Sequence, residues 1–233
     1  MSKHAAVVSG EPVPVERVDA LLAAVPARDA RTARDRPSAQ DPETARTEAR
    51  TEARTEARTE ALARAERQRR RWATQVVVTD ELARRACAER GLAPPGEVSP
   101  QRVPAVSGTD VADLGSIVAV ALAHSPAARA LLAALEAEQR VPEEAVRDYY
   151  VRNRDRFLTK DALRRGVDPF ATATADDFRP YERVRDDVAR ELRRARGRQA
   201  FFDWLDRARE GVAYPAGHEH PGDPAHPDHE HRH

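Results

Sequence analysis

The sequence of 233 residues has few residues of several types, and each shortage excludes a class of protein. Its single cysteine, Cys87, excludes an intramolecular disulfide framework and a metal site built from cysteines alone. Lys plus Arg equals Asp plus Glu, 39 each, which argues against a general electrostatic attraction to nucleic acid or anionic membranes. No apolar run reaches the length of a membrane span. The first residues also lack the apolar core of a signal peptide, so we expect a cytoplasmic protein.

Sequence motifs of enzymes are missing as well. The chain has no phosphate-cradling glycine loop, no dinucleotide fingerprint and no nucleophile in the sequence context of a known catalytic motif. An enzyme is therefore the less favoured interpretation. The residues also call for no cofactor, apart from the metal ions considered below.

Apolar residues recur mainly at helical spacing, which predicts a mainly α fold. A short strand is predicted at 5–9, followed by turn residues and by a helix from Pro14 to Val25. The central helix should end at Gly91, a natural residue for the left-handed position after a helix. Ser125 and Pro126 are typical of the N-cap and first position of the next helix.

The segment Val141–Phe157 predicts a helix with an aromatic face. Pro142 suits the first helical position, and two glutamates follow where the helix dipole favours negative charge. The apolar face of this helix would consist of Val146, Tyr149, Tyr150 and Phe157. A second amphipathic helix is predicted at 181–210, where Phe201 and Trp204 widen the apolar stripe.

Tandem Thr-Glu-Ala-Arg units occupy residues 47–58, with an imperfect copy on each side. In a helix, the glutamates of this four-residue repeat neighbour one another, and so do the arginines, which gives like-charge neighbours and no apolar stripe. The repeat therefore predicts a solvated spacer of variable helicity. Binding of a specific partner is the alternative.

Several of these stretches, in their order along the chain, resemble the SurA/PrsA-type foldases. These are peptidyl-prolyl isomerase chaperones with a helical substrate-cradling domain. The stretches are Val8–Asp19, the central helix up to Leu92, the run from Tyr149 to Phe157, and the run from Pro180 to Asp206. The resemblance implies a helical chaperone domain that the long C-terminal helix completes. Residues 158–180 are too few for a parvulin domain and match none of its motifs, so no isomerase active site is expected.

This interpretation divides the chain into six segments. The N-terminal strand and helix occupy 1–26, the repeat spacer 27–61, the helical core 62–157, a linker in place of the parvulin domain 158–180, the C-terminal helix 181–210, and a His-rich tail 211–233. The resemblance further implies an apolar cradle for client polypeptides, formed by Val146, Tyr149, Tyr150, Phe157, Phe201 and Trp204. The alternative for each of these residues is that it belongs to the domain core.

Six of the eight histidines lie in the last sixteen residues: His218, His220, His226, His229, His231 and His233. In an extended chain, residues i and i+2 point to the same side, and neutral imidazole is a good ligand for Zn²⁺ and Ni²⁺. The tail is similar in composition to the His-rich tails of nickel-handling chaperones. Weak metal binding, a solvated tail, and docking of the tail on the domain through Tyr214 and Pro215 are the three interpretations.

The sequence therefore favours an ATP-independent chaperone that binds unfolded or assembling polypeptides without isomerase activity. A metal-handling accessory protein that uses the tail for Ni²⁺ or Zn²⁺ is the alternative. A homodimer formed through the long helices is a third interpretation. We expect no nucleic-acid or membrane partner.

Overall fold

The computed structural model describes residues 3–24, 44–93, 106 and 108–220, with the backbone alone for 44–53, 108, 110, 113 and 114. The described residues are 72% helical, which confirms the predicted mainly α class with its short N-terminal strand and long C-terminal helix. The elements in these ranges are β1 (His4–Val8), β2 (Glu11–Pro14), α1 (Val15–Ala24), α2 (Thr44–Glu89), α3 (Gly108–His124), α4 (Pro126–Glu138), α5 (Glu143–Arg152), α6 (Lys160–Arg164), α7 (Tyr181–Arg209) and β3 (Val212–Ala213). They form two compact units, one of residues 1–129 with 208–233 and the other of residues 130–207. We call them unit 1 and unit 2.

Unit 1 begins with a β-hairpin. The turn predicted before the first helix is wrong, because residues 11–14 form β2, which pairs antiparallel with β1. The helix predicted from Pro14 is present and begins one residue later, at Val15. Ser9 and Gly10 join the strands with φ angles of 49° and 85°, as a two-residue type I′ turn requires. The sheet order is β2-β1-β3, so β2 lies at an edge, where its two prolines are tolerated.

Helix α2 carries most of the interior of unit 1. It has 46 residues and is therefore about 69 Å long. The repeat residues 44–61 belong to this helix, and residues 54–67 are exposed throughout, in line with the absence of an apolar stripe. Residues 27–43, the rest of the predicted spacer, lie outside the described residues. The buried apolar residues of α2 are Ala73, Val76, Val77, Val78, Leu82, Ala83, Ala86 and Cys87.

The predicted end of α2 is confirmed. Gly91 has φ 63°, and its N–H donates to the carbonyl of Ala88 over 3.2 Å. The N–H of Leu92 donates to the carbonyl of Cys87 over 2.8 Å, which completes a Schellman motif.

Helices α3 and α4 follow, with an interruption at Gly115 (φ 74°, ψ 155°) inside α3. The predicted cap of α4 is confirmed, since the hydroxyl of Ser125 accepts the N–H of Ala128 over 2.9 Å. Among the described helices, none alone is long and apolar enough to cross a membrane. Residues 115–124 and 126–138 pass that test only as a pair, which is bent by 106°.

Unit 2 contains the predicted aromatic helix in a shorter form. Helix α5 begins at Glu143, so Pro142 is its N-cap residue and not its first helical residue. The ψ angle of Pro142 is 147°, so its backbone is extended and the first helical turn begins after it. The helix ends at Arg152, and Phe157 lies in a separate 3₁₀ turn, Arg154–Phe157. The cap at Asn153, with φ −114° and ψ 44°, breaks the helical path between them.

The segment predicted as a linker, residues 158–180, has its own local structure. It contains α6, a 3₁₀ turn at Ala175–Asp177, and a bridge between Leu158 and Phe178. Leu158, Ala162 and Phe178 form a small buried cluster. Its apolar residues are too widely spaced for a helical or strand pattern, which is why periodicity gave no signal.

Candidate functional site

The predicted aromatic residues meet in the core of unit 2. Phe157 and Val146 are buried with Val184 and Val188 of α7. The ring of Phe157 lies 4.8 Å from that of Tyr150 and 6.4 Å, edge to face, from that of Tyr149, measured between ring centroids. The face of α5 that was predicted to hold clients therefore packs against side chains of α7.

The rim of this cluster is polar and closed by charge-assisted hydrogen bonds. The hydroxyl of Tyr149 donates to Glu191 over 2.8 Å, and Arg156 donates to the same carboxylate over 2.7 Å. The hydroxyl of Tyr181 and the guanidinium of Arg185 both donate to Glu143, over 2.5 and 2.9 Å. These two donors hold the pKa of Glu143 below its usual value. The rim thus fixes α5 against α7 at both ends of the aromatic cluster.

The other two predicted client-binding residues lie further along α7. Phe201 is buried and Trp204 is half-buried, with ring centroids 5.2 Å apart. Neither belongs to the cluster around Phe157. Client binding by the six predicted residues stays a prediction, and the structure gives Val146, Phe157 and Phe201 buried positions.

Exposed apolar side chains of unit 2 are a second group of candidate contacts, which sequence periodicity did not identify. Val151, Leu163 and Phe170 are 57, 59 and 66% exposed. Phe170 is held by a local turn, because the carboxylate of Asp168 accepts the N–H groups of Phe170 and Ala171 over 2.8 and 3.2 Å. Apolar periodicity does not identify such residues, because it indicates the buried faces of helices and strands and not isolated exposed side chains.

A second turn in the same segment is fixed by Asp177, whose carboxylate accepts the N–H and the hydroxyl of Thr174 over 2.8 and 2.9 Å. These two hydrogen bonds, with an ion pair to Arg165, hold the pKa of Asp177 below its usual value. The segment that carries Leu163 and Phe170 is therefore ordered by local polar contacts as well as by its small apolar cluster.

The start of the His-rich tail docks on α2 within unit 1. The hydroxyl of Tyr214 donates to Gln75 over 3.1 Å, and the ring of His218 is buried with Nδ1 2.9 Å from the hydroxyl of Thr74. Arg71 donates to the carbonyls of Glu219 and His220 over 3.0 and 2.5 Å. Docking through Tyr214, one of the three interpretations of the tail, is confirmed for residues 214–220.

Burial lowers the pKa of His218 below its usual value, which favours the neutral ring. A groove of about 480 Å³ lies beside the docked segment and is lined on one side by Ala216, Gly217 and His218, and on the other by residues of α1 and α2 that include Asp19 and Arg70. Asp19 and Arg70 form an ion pair of 2.8 Å. The tail thus contributes one wall of this groove.

Metal binding by the tail stays a prediction. Of its six candidate ligands, His226, His229, His231 and His233 lie outside the described residues. Within the described ranges, no three His, Cys, Asp or Glu side chains are grouped so as to hold a metal ion. Cys87 is buried, and its thiol lies 3.4 Å from the carbonyl of Ala127, as expected of a small helix-packing residue.

Sequence analysis did not identify the residues of α2 that bind the tail, which are Arg71, Thr74 and Gln75. These side chains are fully buried, at positions i, i+3 and i+4 of one helix face. The available signal was that polar residues occupy this face next to an apolar run, Val76–Val78. What binds them is more than a hundred residues away in sequence, and no local pattern can identify it.

Comparisons with protein-family models, with curated proteins and with solved structures give no match.

Proposed function

We propose that this protein is an ATP-independent chaperone of the SurA/PrsA lineage that binds unfolded or assembling polypeptides and has no isomerase site. The observation that carries the proposal is the return of the C-terminal segment to the N-terminal unit. The described residues 208–220 belong to the same compact unit as the described residues before 130, and β3 pairs antiparallel with β1. This connectivity is what the resemblance implies for a chaperone domain completed by its C-terminal part.

The order of the resembling stretches adds support. The hairpin and α1, the central helix with its Schellman end, the aromatic helix α5 and the long helix α7 follow one another as the resemblance implies. Residues 158–180 lie where the isomerase domain would be inserted, and they carry only α6 and a 3₁₀ turn.

The proposed client contacts in unit 2 are Val151, Leu163 and Phe170, supported by the aromatic cluster beneath α5. Burying a large apolar side chain contributes about 1.5–3 kcal/mol, so three exposed ones give weak and broad binding. Unpaired apolar surface of this kind attracts the apolar segments of unfolded chains. The exposed ion pair of Arg164 and Asp161 keeps the helix that carries Leu163 hydrated.

Suppression of client aggregation tests the proposal. Light scattering of a thermally unfolded model client would be followed with the full chain and with a V151S/L163S/F170S variant. We expect the native chain to slow aggregation at roughly stoichiometric ratio, and the variant to lose most of this effect. All three positions are exposed, so the variant should keep its far-UV circular dichroism.

The matched control replaces exposed apolar residues of unit 1. Leu62 and Val111 are 57 and 38% exposed, so L62S/V111S removes similar side chains from the other unit. Equal loss of activity in the control would show that general surface apolarity, and not unit 2, is responsible. No suppression by the native chain would refute the proposed function.

A further inference from the structure

The docked segment 214–220 has a defined turn. The N–H of His218 donates to the carbonyl of Pro215 over 3.1 Å, and Gly217 between them has φ 89°. A type II turn needs a positive φ at this third position, which glycine adopts without strain. The N–H of Gly217 also donates to the carboxylate of Glu219 over 2.8 Å. The segment is therefore folded back on itself and not extended.

Its partners on α2 hold it by side-chain hydrogen bonds. The Thr74 hydroxyl donates to the carbonyl of Arg70 over 3.0 Å, so its oxygen remains to accept Nδ1–H of His218. The guanidinium of Arg71 binds two successive carbonyls of the segment. The contact is polar, and water can replace each of its hydrogen bonds when the segment leaves.

His218 and His220 are also the first two predicted metal ligands. Two histidines at i and i+2 can bind one metal ion when the chain is extended, because their side chains then lie on the same side. In the docked turn the chain is not extended, and the ring of His218 is only 8% exposed. The docked form therefore buries, against Thr74, one of the two rings that such a metal ion would need.

We propose that the C-terminal segment is a two-state latch, either docked on α2 or released and bound to Ni²⁺ or Zn²⁺ through His218 and His220. Because one ring cannot be in both places, metal binding releases the segment and docking weakens metal binding by the same factor. Release also removes one wall of the groove beside Asp19. The inference is independent of client binding by unit 2, since it concerns unit 1 alone.

The experiment uses the full, untagged chain and Ni²⁺ alone. Isothermal titration gives the affinity, and hydrogen–deuterium exchange of residues 212–220 reports docking. We expect Ni²⁺ to speed exchange in this segment. We expect Thr74→Val, which keeps the branched shape but removes the acceptor of His218, to tighten Ni²⁺ binding by roughly fivefold, the lower end of typical couplings.

Three further variants make the result decisive. Thr74→Ser restores the hydroxyl and should restore the native affinity. Thr59→Val is the matched control on the same helix, since the exposed Thr59 hydroxyl donates to the carbonyl of Thr55 over 2.9 Å and should not affect Ni²⁺. H218Q/H220Q should abolish the effect of Ni²⁺ on exchange.

The latch is overturned by equal Ni²⁺ affinity in the native and Thr74→Val chains, or by absence of binding in both. It is also overturned if Ni²⁺ slows exchange at 212–220, because the metal would then bind the docked form. Ni²⁺ effects that persist in H218Q/H220Q would assign the metal to other histidines. Aggregation suppression is a separate readout, so failure of the proposed function leaves these outcomes interpretable.

Discussion

The two units hold their elements together by different means. Unit 1 has an interior of small aliphatic side chains, crossed by a buried polar row on α2 and by Asp80, which accepts from Arg17 over 2.7 Å. Unit 2 relies on clustered aromatic rings within a rim of ion pairs. The stability of unit 1 therefore depends on polar partners that are distant in sequence. The stability of unit 2 depends largely on the volume of its aromatic side chains.

This difference can be measured because the chain has two tryptophans, one in each unit. Trp72 lies on α2, and its indole N–H is 3.3 Å from the hydroxyl of Ser116. Trp204 lies on α7 beside Phe201. A W204F chain therefore reports unfolding of unit 1 and a W72F chain that of unit 2. Each prediction below is read in both backgrounds by urea denaturation.

The largest effect is expected from Phe157→Ala. Phe157 is 5% exposed and contacts the apolar cluster of α5 and α7, so its removal leaves a cavity that costs about 3–5 kcal/mol. The Trp204 transition should move to lower urea. Val77→Ala in unit 1 removes two methyl groups at 2% exposure, about 2 kcal/mol, and should move the Trp72 transition instead. If each variant shifts both transitions equally, the units unfold together and the contrast between them disappears.

The next effect tests close packing in unit 2. A Cβ at Gly197 of α7 would lie 2.8 Å from the Cα of Glu136 on α4, and backbone atoms cannot easily give way. Gly197→Ala should therefore destabilise by about 1–3 kcal/mol, although alanine favours helix by about 1 kcal/mol.

Gly211→Ala is the matched control for this substitution. No atom lies within 4 Å of a Cβ built there, so its effect should be neutral or stabilising by under about 1 kcal/mol. A stable Gly197→Ala chain would mean that α4 and α7 can move apart.

Local signals predicted much of the fold. The helix end at Gly91, the cap at Ser125 and the bounds of α7 depend on residues next to one another in sequence, and all three agree with the structure. The second strand was missed because Ser9-Gly10 is a weaker hairpin signal than Asn-Gly, and because prolines usually argue against a strand.

The candidate site was less predictable than the fold. Helical spacing brought Val146, Tyr149 and Tyr150 onto one face, but it could not indicate that α7 covers that face. The docking of His218 on Thr74 joins residues 144 positions apart, and the close approach of Gly197 to Glu136 joins two helices that are distant in sequence. Partners of this kind are determined by tertiary structure, which periodicity does not contain.

A smaller effect compares two helix caps. The hydroxyl of Ser125 in unit 1 is fully buried, and Ser125→Ala leaves the N–H of Ala128 without an acceptor, which costs about 1–2 kcal/mol. Thr159 caps α6 in unit 2 over 3.2 Å, but it is half-buried, and water can replace its hydroxyl. Thr159→Ala should therefore cost under about 1 kcal/mol. Equal losses would show that burial does not distinguish the two caps.

The smallest effect is a difference in pH dependence between the units. Burial lowers the pKa of His124 in unit 1 from its ordinary 6.5, and the charges of Arg17, Arg84 and Arg129 act in the same direction against Asp80. The unfolded chain then binds more protons than the folded one as pH falls below 6.5, so unit 1 loses stability from there downward.

Unit 2 should respond at lower pH, because the groups in it that have a shifted pKa and titrate in acid are the carboxylates of Glu143 and Asp177. The pKa of Glu143 is held below its ordinary 4.5 by Tyr181 and Arg185, so this contribution is present above pH 4.5 and is lost as pH falls through the folded pKa. We measure urea midpoints of chelator-treated chains between pH 7 and pH 5. The midpoint should fall in the W204F chain, which reports Trp72, and stay nearly constant in the W72F chain, which reports Trp204.

His124→Gln is the control for unit 1 and should reduce the pH dependence of the Trp72 midpoint. Any pH dependence that remains there is assigned to His218, whose pKa is also lowered by burial. A Trp204 midpoint that falls as steeply as that of Trp72 would show that protonation acts on both units at once, and the polar interior of unit 1 would then not be what makes the protein sensitive to mild acid.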